Sequence, residues 1–181
     1  MLSGNKVRLR AVEKEDIPKL VKIRNDEGTL TNLFSRLPHP VSVHAEELSY
    51  VEKCKKKYPD EVDLLIEKLD GTIIGKCGTK QTRWKDSETT VHIFIGGDEN
   101  RGKGYGTEAM KLLIRFIFEQ MNIRRIRLNV FSFNERAVKS YEKLGFKVEA
   151  VSREAVFRYG CYYDLYEMGI LRDEYLELRK T

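Results

Sequence analysis

Residues 100–110 read NRGKGYGTEAM, with glycines at 102, 104 and 106 and cations at 101 and 103 just ahead of an apolar-periodic segment. From Gly104 to Gln120, Ala109, Leu112, Leu113, Phe116 and Ile117 recur at i, i+3, i+4, i+7 and i+8, the stripe of a helix buried on one side. Ahead of the glycines, ETTVHIFIG (88–96) reads as a strand. Strand, glycine-rich turn and helix form a backbone site for phosphates, because free N–H groups and the helix dipole face an anion there. Glycine spacing separates the versions of that site. A P-loop requires GxxxxGK followed by Ser or Thr, which RGKGYG lacks. A dinucleotide fingerprint requires GxGxxG, and its third glycine falls on Thr107 or Ala109. What remains is Arg101, two residues, Gly104, one residue, Gly106, whose successive backbone N–H groups suit a pyrophosphate.

The flanking sequence predicts a mixed α/β order. KVRLRAV (6–12) alternates as a strand, and EKEDIPKLVKIRND (13–26) carries Ile17, Leu20, Val21 and Ile23 on a helix face. TNLFSRLPHPVS (31–42) reads as a loop, and Ser42 is placed to cap a helix that runs to the region of Lys57 and stops at Pro59. VDLLIEKL, Asp70-Gly71 and TIIGKCGTKQ predict a hairpin closed by a two-residue type I′ turn, and ETTVHIFIG extends the meander after a turn near Lys85 and Asp86. RRIRLNVF (124–131) is a strand, and NERAVKSYEKLG (134–145) is a helix capped by Asn134 and ended by Gly145. FKVEAVSREAVFR, a turn at Tyr159-Gly160 and CYYDLYEMGIL form a last hairpin, followed by RDEYLELRK as a short tail.

A chain of 181 residues with 41% hydrophobic and 34% charged residues suits a single domain over 1–181, neither disordered nor fibrous. MLSGNKVRLR has no signal-type apolar region and no run reaches a membrane span, so the expected location is cytoplasmic, with no membrane partner. Cys54, Cys77 and Cys161 are widely spaced and form no CxxC pair, so they are read as reduced and structural, and no metal is expected. The net charge of +5 is spread among interleaved acids and bases, and no basic stripe with aromatics marks a nucleic-acid partner.

Taken together, RLRAVEKEDI, GYGTEA, NVFSFNERAVKSYEKLGF and REAVFRYGCYYDLYEMGIL resemble the GNAT superfamily of N-acetyltransferases over nearly the whole chain, and within it the ribosomal-protein (RimJ/RimL-like) branch. The resemblance implies a central twisted, mostly antiparallel seven-stranded sheet flanked by about four helices, splayed at the two strands that hold acetyl-CoA. It also implies that Arg101, Gly102, Lys103, Gly104, Tyr105 and Gly106 bind the coenzyme pyrophosphate, and that the backbone near Phe94 and Ile95 pairs with the pantetheine arm. Lys103, Arg136 and Lys139 are either phosphate-neutralising charges or solvated surface cations. Many members carry a proline shortly before the loop. This chain has GGDEN (96–100), which predicts a more flexible strand exit.

In similar enzymes the tyrosine of SYEKLGF protonates the departing thiolate, which assigns that role to Tyr141; the helical face Ala137, Val138, Tyr141, Leu144 equally suits plain core packing. Asn134 is a helix cap, a coenzyme contact or both. An alkylammonium must lose a proton before attack, and Glu88 and His92, on one face of the strand entering the loop, are the candidate bases.

The superfamily's acceptor region corresponds here to Asp26, Glu27, Phe34, Arg36, Trp84, Phe157, Tyr159 and Tyr162. The branch resemblance points to a protein or peptide N-terminal α-amine accepting acetyl by direct transfer, without a covalent acyl-enzyme. A polyamine, an aminosugar or an aminoglycoside is the alternative acceptor, and the absence of carboxylates from TNLFSRLPHPVS counts against a polyamine. A non-catalytic acyl-CoA binding or sensing domain is the alternative of another class. The last strand offers an edge across which a homodimer can form.

Overall fold

The structure, a computed structural model, describes residues 2–33, 38–56 and 60–180. Among the described residues, eight strands follow the order β1-β2-β3-β4-β5-β6-β8-β7 in a mostly antiparallel sheet, accompanied by six α-helices. This is the mixed α/β architecture expected, with an added two-residue strand and two added short helices. The residues group into two compact units, Met1–Lys80 with His92–Leu113, and Gln81–Val91 with Ile114–Thr181.

The first unit opens with β1 (Leu2–Ser3) and β2 (Val7–Ala11), whose alternation buries Val7 and Leu9 completely while Arg8 and Arg10 turn to the other face. There Arg8 Nε meets Glu67 of β3 (Asp63–Lys68) at 2.6 Å, and Arg10 pairs with Asp16 at 2.7 Å. Helix α1 (Ile17–Asn25) buries Ile17, Leu20 and Val21, with Pro18 in its first turn, where no N–H partner is lost. It leads into the four-residue α2 (Glu27–Leu30). Ser42 caps α3 (Val43–Cys54) by accepting from the Ala45 N–H at 3.1 Å, as the sequence predicts; the proposed stop at Pro59 lies outside the described residues.

The hairpin from β3 to β4 (Ile73–Arg83) departs from the type I′ expectation. Lys68 O accepts from Gly71 N at 3.0 Å and Lys68 N donates to Thr72 O at 2.8 Å, while Gly71 has φ +88°. Leu69, Asp70 and Gly71 therefore make a three-residue loop that ends in a left-handed glycine. Asp70 favours this loop because its Oδ1 accepts from Thr72 N at 2.8 Å. On β4, Gly75 permits a close approach: a Cβ there would stand 2.0 Å from the Phe94 carbonyl of β5 (Glu88–Ile95).

Helix α4 (Tyr105–Gln120) buries Ala109, Leu112, Leu113 and Ile117 of the expected stripe and leaves Phe116 half-buried. Met110, Ile114 and Phe118 are buried as well, so its apolar face is wider than the periodicity implies.

In the second unit, β5 pairs in parallel with β6 (Arg125–Phe131) from Glu88↔Arg125 to Thr90↔Arg127, and beyond that ladder each strand continues. β6 pairs antiparallel with β8 (Cys161–Leu171), which pairs with β7 (Lys147–Arg158). Tyr159 and Gly160 both have positive φ, 51° and 78°, as a type I′ turn requires. Helix α5 (Glu135–Lys143) lies between β6 and β7 in sequence. The predicted tail is instead helix α6 (Arg172–Leu178), anchored by Tyr175, whose ring lies 5.0 Å from that of Phe118. Among the described residues no helix is long and apolar enough to cross a membrane.

Candidate active site

Arg101 to Gly106, with Phe94 and Ile95, all lie in the first unit. GGDEN is not a loose exit: Asp98–Asn100 form a 3-10 turn, and the buried Asn100 side chain donates to Gly96 O at 2.8 Å. The strand exit is therefore a hydrogen-bonded turn. Gly102 and Gly104 take φ +72° and +82°, a region that side chains disfavour, and α4 begins at Tyr105. Gly106 is packed from below, since a Cβ there would meet Ile95 Cδ1 at 3.3 Å, so Ile95 and the loop are brought together. Lys103 is exposed, and the Tyr105 ring lies 5.4 Å from the Lys68 ammonium.

Arg101 contributes differently from its place in the pattern. Its guanidinium pairs with Asp98 and lies against Gly28 of α2, where a Cβ would stand 2.6 Å from it. The acceptor candidates Asp26 and Glu27 are therefore on the helix that Arg101 touches. Both are exposed, and Asp26 also caps α2 by accepting from Thr29 N at 3.2 Å. Phe34 and Arg36 lie outside the described residues.

His92 has a partner that the sequence did not reveal. Its Nε2 stands 3.3 Å from Asp63 Oδ1, and Asp63 also accepts from Lys53 at 2.5 Å and faces Lys76 at 3.5 Å. Burial alone would raise the Asp63 carboxyl, but the His92 hydrogen bond and the Lys76 and Lys53 ammonium groups hold it well below the usual range. With Nε2–H given to Asp63, Nδ1 is left as the acceptor; it is buried and has no hydrogen-bond partner among the described residues. The available signal was one acid at the head of the apolar run DLLI, too ordinary to single out.

Glu88 lies in the second unit and is committed elsewhere. Its buried carboxylate contacts Arg83 at 2.6 Å, Arg125 at 3.0 Å and Arg127 at 3.2 Å. Glu88 is thus the shared counter-ion of three arginines. The parallel ladder sets this arrangement, placing Arg125 opposite Glu88 and Arg127 two residues on.

Tyr141, on α5, packs its ring 5.9 Å from Phe146 edge to face, and burial pushes its hydroxyl up to about 12. Such a phenol stays protonated at neutral pH. Asn134 caps α5 by accepting from Ala137 N at 3.3 Å; Arg136 is exposed, and Lys139 lies 3.5 Å from Glu135. Trp84 sits in a 3-10 turn, and Tyr159 at the hairpin tip lies edge-on to Phe133; both are largely exposed. Among the described residues no group of three or more His, Cys, Asp or Glu side chains could hold a metal ion.

A family profile described as an acetyltransferase (GNAT) domain matches residues 6–147. The chain belongs to the GNAT acetyltransferases. The SPbeta prophage-derived uncharacterized N-acetyltransferase YokL of Bacillus subtilis is 30% identical to this acetyltransferase, covering 96% of this chain and 94% of its own. The spermidine N(1)-acetyltransferase of Escherichia coli K12 is 28% identical, covering 100% and 94%. A crystal structure of spermidine N-acetyltransferase from Vibrio cholerae in complex with CoA and spermine superposes with TM-score 0.86 at 25% identity, covering 96% of this chain and 99% of that one. These relatives do not single out the ribosomal-protein branch. The protein is an acetyl-CoA-dependent N-acetyltransferase. Its loop fits the coenzyme on local grounds, with two glycines in left-handed conformations leading into a helix N-terminus.

Proposed function

We propose that this acetyltransferase acts on an aliphatic polyamine of the spermidine class. The similarity to spermidine N-acetyltransferases over the full chain carries this reading. It replaces the protein N-terminal α-amine that the branch resemblance implied. The sequence argument against a polyamine was the lack of acids in TNLFSRLPHPVS; exposed acids precede that stretch in the chain instead, at Asp26 and Glu27, and Asp98, which pairs with Arg101, is exposed as well. Such carboxylates suit the ammonium groups of a polyamine that are not acetylated.

In this reading the backbone from Arg101 to Gly106 holds the coenzyme pyrophosphate, and the coenzyme supplies a thioester acyl donor. His92, with Asp63 fixing Nδ1 as the free lone pair, takes the amine proton through an ordered water. Tyr141 gives its proton to the departing sulfur, the C–N bond forms as the C–S bond breaks, and no residue is acylated. Glu88 holds Arg83, Arg125 and Arg127 and has no part in the transfer.

Thiol release measured with spermidine, spermine, an aminoglycoside and an N-terminally free peptide tests the acceptor. Turnover with the polyamines above that with the peptide is expected. Preferential turnover of the peptide would reinstate the α-amine. Coenzyme binding with no turnover on any amine would favour an acyl-CoA sensor.

A further inference from the structure

Neither the signature of the loop nor the transfer chemistry accounts for the residues at the start of β2. Glu108, in the first turn of α4, accepts three backbone N–H groups from that segment: Asn5 at 3.0 Å, Lys6 at 2.7 Å and Val7 at 2.8 Å. The approach is close enough to exclude a side chain at Gly4, where a Cβ would stand 2.7 Å from Glu108 Cδ. Lys6 then reaches into the glycine loop, donating from Nζ to the Lys103 carbonyl at 2.9 Å, with the same nitrogen 3.2 Å from the place of a Gly104 Cβ.

Two physical points give this contact a purpose. A carboxylate in the first turn of an anion-binding helix would repel phosphates, and here three backbone amides take up its charge. The Lys103 carbonyl lies between two left-handed glycines, a segment that nothing else described here holds by a side chain, and whose N–H directions depend on the peptide orientation that Lys6 holds.

We propose that Glu108 and Lys6 clasp the start of β2 to the coenzyme loop, so that Lys6 is a positioning residue for coenzyme phosphate binding. The proposal rests on the reading that Arg101 to Gly106 hold the pyrophosphate. Lys6 acts through the loop and touches neither the amine nor the thioester.

The test compares Lys6→Met, Lys6→Arg and Gly106→Val by calorimetric titration with coenzyme A, and by steady-state kinetics with acetyl-CoA and with S-acetylpantetheine, which lacks the phosphates. Lys6→Met is expected to raise the coenzyme A Kd and the acetyl-CoA KM about 3- to 10-fold, the scale of one exposed charge-assisted hydrogen bond. It should leave kcat and the S-acetylpantetheine kinetics as in the wild type, and Lys6→Arg should restore binding. Wild-type affinity in Lys6→Met, with binding abolished in Gly106→Val, would overturn the clasp alone. Equal losses with both acyl donors would make Lys6 merely structural and also overturn it. Wild-type binding by Gly106→Val would remove the loop reading and the clasp with it.

Discussion

His92 Nε2 stands 3.3 Å from Asp63 Oδ1, across a charge group drawn from α3, β3, β4 and β5. Asp63 binds Lys53 and faces Lys76, and Lys76 lies 4.0 Å from Glu46, which pairs with Arg24 at 3.0 Å. The acid is therefore fully ionised in the folded protein and orients one nitrogen of the imidazole.

Asp63→Asn should destabilise the protein by about 1–3 kcal/mol at neutral pH, because it leaves the part-buried Lys76 and His92 facing a neutral amide. In the unfolded chain this carboxyl titrates near 3.9, and in the folded protein it titrates lower. The stabilisation is thus present above about pH 4 and is lost as pH falls towards the folded value. Denaturant melts from pH 7 to pH 2 should show the gap between wild type and variant narrowing only in acid. A gap independent of pH would mean that the carboxylate charge is not what holds this cluster.

His92→Gln keeps a polar side chain but removes the imidazole proposed as the base. The expected result is a loss of kcat/KM of about ten- to a hundredfold, with the acidic limb of the pH–rate profile removed, as for a general base acting through water. A profile of unchanged shape would take His92 out of the mechanism.

Tyr141→Phe retains the ring packed on Phe146 and removes only the hydroxyl. Turnover should fall by about tenfold to a thousandfold while coenzyme A binds as in the wild type. Unchanged turnover would reduce Tyr141 to core packing.

Glu88→Gln separates structure from catalysis at the second candidate base. Removing its charge leaves Arg83, Arg125 and Arg127 facing one another, and should lower stability by about 1–3 kcal/mol. The variant is expected to keep its pH–rate profile. A lost acidic limb with unaltered stability would restore Glu88 as the base.

Gly75→Ala places a methyl group 2.0 Å from the Phe94 carbonyl. Either β4 or β5 must move, which should cost at least about 3 kcal/mol and show as a large drop in thermal midpoint or as insoluble protein. A midpoint within about 2 °C of wild type would show that the strands adjust freely.

The spacing of Arg101, Gly104 and Gly106, the stripe of α4, the caps Ser42 and Asn134 and the Tyr159-Gly160 turn were legible because each is a local property, decided by residues within one turn of one another. The register of the Asp70-Gly71 loop was less so, since the same two residues serve a two- or a three-residue connection. Partnerships over long sequence distances were not legible at all. Nothing near His92 in the chain indicates Asp63, and nothing near Glu108 indicates the amides of Asn5, Lys6 and Val7. Strand pairing likewise turned Glu88 from a candidate base into the counter-ion of three arginines. That a glycine-rich loop leads into a one-sided apolar helix could be read from residue order alone; which charges neutralise one another came from the folded arrangement. An ion pair depends on distance in space, and the sheet ladder sets that distance.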